Sequence, residues 1–447
     1  MLSNRTLIND LRAQHPFRYD HLLLSSAGKS RGSVQRTLRW TFYGGDINLL
    51  PMNSREYEDS HKWLTFKFDL RDVPDKIWIT LGEVLSKVDH VSGAPLQPAE
   101  AQQLNLIYLS KGIHATTSIE GNTLSEEEVA QRVEGHLKLP ESLEYQGEEV
   151  DNLMEALNMI RKDFEDGTNP PLTVDRIKNF NSTILKNQPL EEGVVPGEFR
   201  KHSVVVGDYR GAPAQDCDYL MEKFVKFIND DLVTDHSTYE KPVAVLRAIL
   251  AHLYLAWIHP FGDGNGRTAR LVETQLLFEA GFPTPAAHLL SDFYNRTRSM
   301  YYKKLRYASK APNLTEGLIA FCEYAVGGLV DGLREQVRLI EDSQLEIAWI
   351  NFIHEQFIDE PHTAASRRRR ELALAIPYVG PESKGIPKSQ LPQLNVDLAK
   401  SYASTTSKTI TRDVNFLLDK QLIVQREGGY SSNLMLMAAF LPPVPQL

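Results

Sequence analysis

The 447-residue sequence has little cysteine and no long uninterrupted apolar run. Two cysteines, Cys217 and Cys322, are too few for a disulfide framework, which indicates a reducing compartment and predicts a cytoplasmic protein. The start of the sequence lacks the apolar core of a signal peptide. The most apolar segment, residues 243–258, contains Arg247 and His252 and is too short to span a bilayer. We therefore expect this segment to be a buried helix, and we expect no membrane partner.

The sequence also has no overall excess of positive charge. Its net charge of −9 gives no reason to expect nucleic-acid binding by the protein as a whole. Residues 361–447 differ, because they contain 11 Lys and Arg but 6 Asp and Glu, a local net charge of +5. This asymmetry predicts a separate C-terminal module with partners of its own.

Helical patterns dominate from Pro74 onward, so we expect a mainly α protein of two or three domains. Residues 98–122 predict a helix that begins at Pro98 and stops at Gly121-Asn122. Ser125 and Glu128 predict a capping box at the start of the next helix. Further helices are predicted at roughly 150–165, 173–186, 217–231, 241–257, 265–280, 298–309 and 314–341.

Residues 201–214, KHSVVVGDYRGAPA, interrupt the helical pattern. A run of β-branched residues followed by Gly and Pro is typical of a short hairpin. An isolated pair of strands is only marginally stable, so a hairpin in a helical domain often serves a function. A plain connecting loop remains the alternative.

The C-terminal residues change character. A basic helix at 366–375, a helix at 405–422 and a two-stranded wing at 422–436 predict a winged helix-turn-helix. We interpret the four arginines at 367–370 as a solvated helix face. Winged helices bind DNA or dock proteins, and the sequence leaves both open. The candidate DNA contacts are Ser404, Thr405, Thr406, Ser407, Lys408, Thr409 and Arg412.

The richest segment is HPFGDGNGRTAR, residues 259–270. A dinucleotide fingerprint would have to follow a strand, whereas this segment follows an evident helix. The sequence contains no G-x-x-x-x-G-K-[ST] motif, which excludes a P-loop. His252 and His259 lack the H-E-x-x-H pattern, so a zinc site has little support. The remaining interpretation is a loop that binds an anion at the start of a helix.

Gly264 and Gly266 lack the Cβ atoms that would keep a phosphate from the backbone N–H groups of that helix. Arg267 and Arg270 lie on one helix face and suit bidentate phosphate contacts. The plain alternative is a turn before a helix that carries surface arginines.

Two further side chains complete the motif. Asp263 supplies the oxygen ligand that Mg²⁺ prefers beside phosphate oxygens. His259 has an ordinary pKa suited to general-base catalysis. Together these residues predict phosphoryl or nucleotidyl transfer from a nucleoside triphosphate.

The segment resembles the Fic (filamentation induced by cAMP) signature, H-P-F-x-[D/N]-G-N-G-R-x-x-R, at every defined position, and the similarity extends over roughly residues 65–345. The resemblance implies a Fic-fold helical domain that transfers AMP from Mg²⁺–ATP to a Ser, Thr or Tyr hydroxyl of a target protein. We therefore expect four regions: an N-terminal extension of unknown role at 1–64, a region with an inhibitory helix at 65–150, a catalytic core at 151–345 and a winged helix-turn-helix domain at 346–447.

The resemblance also implies a role for each residue of the motif. His259 would deprotonate the target hydroxyl, and Asp263 would hold the metal. Arg267 and Arg270 would orient the β- and γ-phosphates. The anion hole would consist of Gly264, Asn265 and Gly266.

The resemblance further identifies the 201–214 hairpin as a flap that docks the target by strand addition. The residues assigned to it are Arg200, Val204, Val205 and Val206. Tyr301 and Tyr302 line an adenine pocket or belong to the ordinary core.

TTSIEG, residues 116–121, resembles the inhibitory motif [S/T]-x-x-x-E-[G/N] of the same family. A glutamate in the last turn of a helix is unfavourable for the helix dipole, so a cation outside the helix would explain Glu120. The resemblance names Arg270 as that cation and implies inhibition in cis. A solvated glutamate is the alternative.

Three functions therefore remain open. The first is AMP transfer regulated by Glu120, and the second is another phosphate-group transfer or AMP removal on the same fold. The third is nucleotide sensing by a DNA-bound regulator. The intact motif with Asp263 favours the first. The oligomeric state is open, a homo-oligomer included.

Overall fold

A computed structural model describes residues 40–42, 45–47, 55–207, 209–233 and 237–440. The chain divides into two units, Met1–Arg55 and Glu56–Leu447. In the first unit, β1 (Trp40–Phe42) pairs antiparallel with β2 (Gly45–Ile47). Most of the extension predicted at 1–64 lies outside the described residues.

The second unit is built mainly of helices in the described residues. The N-terminal helices are α1 (Glu56–Ser60), α2 (Asp75–Gly93), α3 (Pro98–Ile119), α4 (Glu126–Val133), α5 (Glu144–Glu165) and α6 (Val174–Ile184). After the hairpin β3 (Val205–Val206) and β4 (Tyr209–Arg210) come α7 (Cys217–Lys226), α8 (Ser237–Ile258), α9 (Asn265–Glu279), α10 (Thr284–Ala287), α11 (Leu289–Arg296), α12 (Arg298–Lys310) and α13 (Leu314–Gln356). The C-terminal elements are α14 (Ala364–Ala375), α15 (Val396–Ala403), α16 (Ser407–Asp419), β5 (Ile423–Arg426) and β6 (Gly429–Ser432).

Helix α8 lies at the centre of the larger core and packs against α9. Among the described helices it alone is long and apolar enough to cross a membrane, but 72% of its most apolar window is buried inside the protein. The expectation of a buried helix is confirmed. Helix α8 ends at Ile258, so the loop that begins with His259 starts from a helix fixed in the core.

The capping box predicted at Ser125 is present, because the Ser125 hydroxyl accepts from Glu128 N and the Glu128 carboxylate accepts from Ser125 N. Other element bounds differ from the prediction. Helix α3 ends at Ile119, so Glu120 is its C-cap rather than part of its last turn. The helix predicted at 217–231 is α-helical to Lys226 and continues as a π-helical turn, Phe227–Asp231. No predicted range covers helices α1, α2, α10, α11 or α15.

The largest difference concerns α13, which runs for 43 residues and passes through the predicted domain boundary at 345/346. Its N-terminal part belongs to the larger core, whereas Trp349 and Ile353 belong to a second core with α14, α15 and α16. The helix continues because buried side chains recur along it in both cores.

The C-terminal elements follow the predicted order of helices and hairpin, with Ile386 bridging Tyr430 at the edge of the hairpin. That these elements form a winged helix remains a prediction. The interpretation of the four arginines as a solvated face is corrected for two of them. Arg368 and Arg369 each donate to the buried Asp413 at 2.8 Å, because α14 packs on α16.

Candidate active site

The segment 259–270 forms a loop that leads from α8 into α9. His259 adopts φ +51°, which turns the chain out of α8, and Gly264 adopts φ +75° at the N-cap of α9. Asn265 closes the loop, because its side chain accepts from Phe261 N and donates to Phe261 O at 2.9 Å each. Asn181 on α6 supports the loop from outside by donating to Asp263 O at 2.9 Å.

Gly264 and Gly266 are required by close approaches as well as by the turn. A Cβ on Gly264 would lie 2.9 Å from Asn181 Nδ2. A Cβ on Gly266 would lie 2.1 Å from Glu120 Oε1. The bare backbone at Gly266 therefore accommodates a carboxylate at the start of α9, where the helix dipole favours an anion.

His259 is oriented by a backbone carbonyl. Its Nδ1 lies 3.3 Å from Ala256 O, and since a carbonyl only accepts, Nδ1 carries the proton. Burial lowers the pKa of His259 below its ordinary value of 6.5, against opposing contributions from the Ala256 carbonyl and Glu120. A neutral imidazole protonated on Nδ1 leaves the lone pair of Nε2 available to accept a proton.

The contact predicted to be inhibitory, the pair of Glu120 and Arg270, forms at the end of α3. Arg270 Nη2 lies 2.5 Å from Glu120 Oε1 and also donates to Thr116 O at 3.0 Å. Burial acts to raise the pKa of Glu120, but the charges of Arg270 and Arg267 outweigh it, so the pKa of Glu120 lies below its ordinary value. The glutamate is therefore an anion at neutral pH.

Arg267 is engaged by two carboxylates. Its Nη1 donates to Glu149 Oε1 at 2.6 Å, and its Nη2 donates to Asp263 Oδ1 at 3.1 Å. Glu149 is not among the residues predicted from the sequence, because it lies 118 residues from Arg267 and carries no local motif. Glu149 Oε2 also accepts from Asn122 at 2.8 Å, so one side chain connects the turn after Glu120 to the loop.

Two buried donors in this site have no protein partner. Within the described residues, Nε of Arg267 and Nε of Arg270 are buried and make no hydrogen bond. An N–H donor that is buried without an acceptor is unfavourable, even where the rest of its guanidinium group is paired. The site therefore retains binding capacity for an anionic ligand.

The environment of Asp263 fits a Mg²⁺ ion that arrives with phosphate. Oδ1 accepts from Gly264 N and from Arg267, and the side chain is 48% exposed, so Oδ2 remains available. Over the described ranges, no group of three or more His, Cys, Asp or Glu could hold a metal by itself. A single carboxylate suits Mg²⁺, which commonly binds one or two carboxylates plus substrate phosphates.

Arg200 differs from the prediction that it belongs to the target-docking surface. The residue is buried, and its guanidinium donates to the carbonyls of His259, His202 and Ala212. Arg200 thus ties the base of the hairpin to the backbone of His259. Carbonyl oxygens within the fold satisfy its guanidinium group, so its position does not require a contact with a target protein.

The hairpin itself is present but short. Val205 pairs with Arg210 and Val206 with Tyr209, and the two valines are 58% and 50% exposed. Val204 is half-buried, and its carbonyl accepts from Gly211 N. The exposed valines leave an apolar strand edge beside the His259 loop.

The two tyrosines have different environments. Tyr301 is buried, and its hydroxyl lies 2.8 Å from His252 Nε2, so it belongs to the core. Tyr302 is 44% exposed, and its hydroxyl lies 3.5 Å from Ile119 O, beside Glu120. Of the two, Tyr302 is the one that a ligand in the site could reach.

The candidate DNA contacts lie around the start of α16. The Thr405 hydroxyl donates to Tyr402 O, so this side chain serves the turn between α15 and α16. Thr405 and Thr409 are half-buried. The exposed members of the set are Ser404, Thr406, Ser407, Lys408 and Arg412.

Comparisons with known proteins find similar sequences. Residues 171–277 match the model of the Fic/DOC family. The protein adenylyltransferase Fic of Drosophila melanogaster is 31% identical over 230 residues, which cover 51% of this chain and 42% of the relative. The chain therefore spans about two fifths of the length of this curated relative.

Solved structures of Fic proteins are also similar. A Fic domain-containing signalling protein from Bacteroides thetaiotaomicron has a TM-score of 0.48 and 22% identity, covering 59% of this chain and 98% of its own. Fic-1 from C. elegans has a TM-score of 0.48 and 24% identity, covering 60% and 74%.

Proposed function

We propose that the chain is a Fic-family protein adenylyltransferase held inactive by its own Glu120, and the match of residues 171–277 to the Fic/DOC family supports this. The reaction transfers AMP from ATP to a Ser, Thr or Tyr hydroxyl of a target protein. The observation that carries the proposal is the Glu120 carboxylate, which lies on Arg270 and against Gly266 inside an otherwise complete anion-binding loop.

His259 is the general base of this reaction. The target oxygen attacks the α-phosphorus of ATP, a new P–O bond forms, and the bond to the bridging oxygen breaks to release pyrophosphate. The hydroxyl proton moves to Nε2 of His259, the nitrogen that the Ala256 contact leaves free. Arg200 positions the base by holding its backbone carbonyl.

The phosphates bind where the chain offers unpaired donors. Donors of two kinds lack an acceptor within the described part of the chain: the N–H groups at the N-terminus of α9, and the buried Nε atoms of Arg267 and Arg270. Phosphate oxygens would accept from both kinds. Asp263 would hold Mg²⁺, which would neutralise phosphate charge when bound.

Glu120 inhibits by competing for the same donors. While its carboxylate occupies Arg270, the terminal phosphate cannot use that guanidinium, and ATP binds with its α-phosphorus displaced from the attack line. A displacement of about 1 Å lowers a rate on the order of 10²-fold.

The experiment is incubation with Mg²⁺ and ATP labelled at the α-phosphate, with label followed on the protein and on added lysate. Wild type is compared with Glu120→Gly and with Glu120→Gly combined with His259→Ala. Glu134→Gly is a matched control, because Glu134 is also an exposed C-cap glutamate followed by a glycine with positive φ.

We expect labelling to rise about 10²-fold in Glu120→Gly, to disappear in the double variant and to stay at the wild-type level in Glu134→Gly. Labelling from γ-labelled ATP, or loss of AMP from an adenylylated protein, would assign a different reaction to the same site. Absence of any nucleotide chemistry would favour the regulator that acts through the C-terminal module.

A further inference from the structure

A cavity of about 260 Å³ lies between α2, α3 and α13, apart from the loop 259–270. It is larger than a cavity of about 150 Å³ that holds benzene, and it approaches the range of small-molecule pockets. Its mouth includes the exposed Ser92 and Asn105. The apolar part of its wall includes Val91, Leu96, Leu104, Pro283, Pro285 and Ile340.

Two of its lining residues carry buried polar atoms without a partner. Tyr108 is 5% exposed and Gln336 is 2% exposed, and neither Tyr108 Oη nor Gln336 Oε1 makes a hydrogen bond. Gln336 uses its other polar atom, because Nε2 donates to Pro285 O at 2.8 Å. Both residues that carry these unpaired atoms, Tyr108 and Gln336, line the same cavity. A polar group that is buried without a partner is unfavourable in the folded protein.

The wall also limits the charge of an occupant. None of the residues that line this cavity is Asp, Glu, Lys, Arg or His. A charged ligand would lose its hydration without gaining an ionic partner. A neutral molecule with an apolar body and a head that both donates and accepts fits the wall.

We propose that this cavity binds a small neutral ligand of the carboxamide type and that binding favours the inhibited position of α3. The amide N–H donates to Gln336 Oε1 and the amide oxygen accepts from Tyr108 Oη. The apolar body packs on Leu104 and Ile340.

The link to the inhibitory contact is helix α3, and this part of the proposal rests on the proposed function. Ala101, Leu104, Asn105 and Tyr108 line the cavity from α3, and Glu120 is the C-cap of the same helix. Twelve residues of helix separate Tyr108 from Glu120, a distance of roughly 18 Å. A ligand that fits the cavity in the inhibited structure stabilises that position of α3 by mass action.

The test measures binding, so that it does not depend on catalysis. The probes are benzamide, toluene, benzoate and benzylamine, which share one ring and differ in polarity and charge. Calorimetric titration and the shift in Tm are recorded for the full-length protein. We expect benzamide to bind and raise Tm, toluene to bind about 10-fold more weakly, and both charged probes to have no effect.

Tyr108→Phe removes an unpaired hydroxyl, so the variant should fold at least as well as wild type. We expect it to weaken benzamide about 5-fold and to leave toluene unchanged. Ala101→Leu fills the cavity and should abolish the binding of both. No binding of benzamide, equal binding of benzoate, or an unchanged affinity in Ala101→Leu would overturn the site.

The coupling is tested with the same titration in Glu120→Gly and its control Glu134→Gly. We expect benzamide to bind roughly 3–10-fold more weakly to Glu120→Gly and equally well to Glu134→Gly. Equal affinity in both variants overturns the coupling to α3. Since none of these readouts uses ATP, they stand whether or not the chain transfers AMP.

Discussion

At the scale of single residues, the side chains of Glu120 and Arg270 differ in how deeply they are buried. The Arg270 side chain is 1% exposed and cannot reach water, whereas the Glu120 side chain is 30% exposed and ends a helix. The arginine therefore always needs an anion, and the glutamate is the partner that can leave. An ATP phosphate is an anion that would replace it.

The stability of the contact between Glu120 and Arg270 should depend on pH. Because the folded pKa of Glu120 is lowered, the contact stabilises the protein above the ordinary value of 4.5 and loses this effect as pH falls through the folded value. We expect Glu120→Gln to reduce the free energy of unfolding by about 1–3 kcal/mol at pH 7, and by progressively less below pH 4.5. Urea unfolding at a series of pH values measures this.

Glu134→Gln is the control for that series. The Glu134 carboxylate lies 3.6 Å from the exposed imidazole of His136 at the surface, so the effect of Glu134→Gln should be within about 0.5 kcal/mol at every pH. If Glu120→Gln lost the same free energy of unfolding, relative to wild type, at every pH down to low pH, the assignment of a negative charge to Glu120 would be contradicted.

His259 predicts the pH profile of the active form. Burial lowers its pKa below 6.5, so the base is neutral and competent at pH 7 and above. We expect kcat/KM of Glu120→Gly to be flat from pH 7 to 8 and to fall tenfold per pH unit below the His259 pKa. An acid limb centred above pH 7 would show that another group limits the reaction.

At the scale of elements, helix α13 connects the two hydrophobic cores. It contributes Leu318, Phe321 and Leu329 to the larger core and Trp349 and Ile353 to the smaller one, without interruption. The predicted boundary at 345/346 therefore lies within a hydrogen-bonded helix rather than in a linker. Its two cores should influence each other's stability.

Breaking α13 between the cores tests this. Glu346 is exposed, so Glu346→Pro changes the backbone more than the packing. We expect a loss of about 3 kcal/mol or more and a thermal transition that splits into two, because proline removes a helix hydrogen bond. Calorimetry records both, and Glu346→Ala should unfold like wild type. A single transition in Glu346→Pro would show that other contacts join the cores.

Charge is divided along the whole molecule. The acidic N-terminal part carries the site that would bind ATP, and residues 361–447 carry a net charge of +5. Two arginines of that module are used internally on Asp413, whereas Lys408 and Arg412 are exposed at the start of α16. If the C-terminal module binds DNA, as the sequence predicts as one of two alternatives, this helix end would contact the phosphates.

Binding of a labelled duplex, followed by anisotropy over a range of salt concentrations, tests that prediction. We expect Lys408→Ala with Arg412→Ala to weaken binding and to reduce the salt slope by about 2, because two phosphate contacts are lost. The control variant, Lys303→Ala with Lys304→Ala, removes two positive charges from α12, outside the C-terminal module. It should leave DNA binding and its salt dependence unchanged. Equal losses in both double variants, or no binding by wild type, would contradict the prediction.

The sequence by itself determined the features that depend on neighbouring residues. The loop 259–270 needs its glycines, base and carboxylate within twelve positions, and the capping box at Ser125 and the buried helix α8 follow from local patterns. The hairpin also followed from β-branched residues next to a turn. Such features involve short-range geometry, which residue type and spacing specify directly.

Only the tertiary structure decided which charges meet across long stretches of chain. Glu149 reaches Arg267 across 118 residues, and Asp413 selects Arg368 and Arg369 out of four consecutive arginines. The enclosed carbonyls around Arg200 and the cavity beside Tyr108 arise in the same way. Many charged and polar groups are compatible with a given helix pattern, and packing of the helices determines which of them share a buried site.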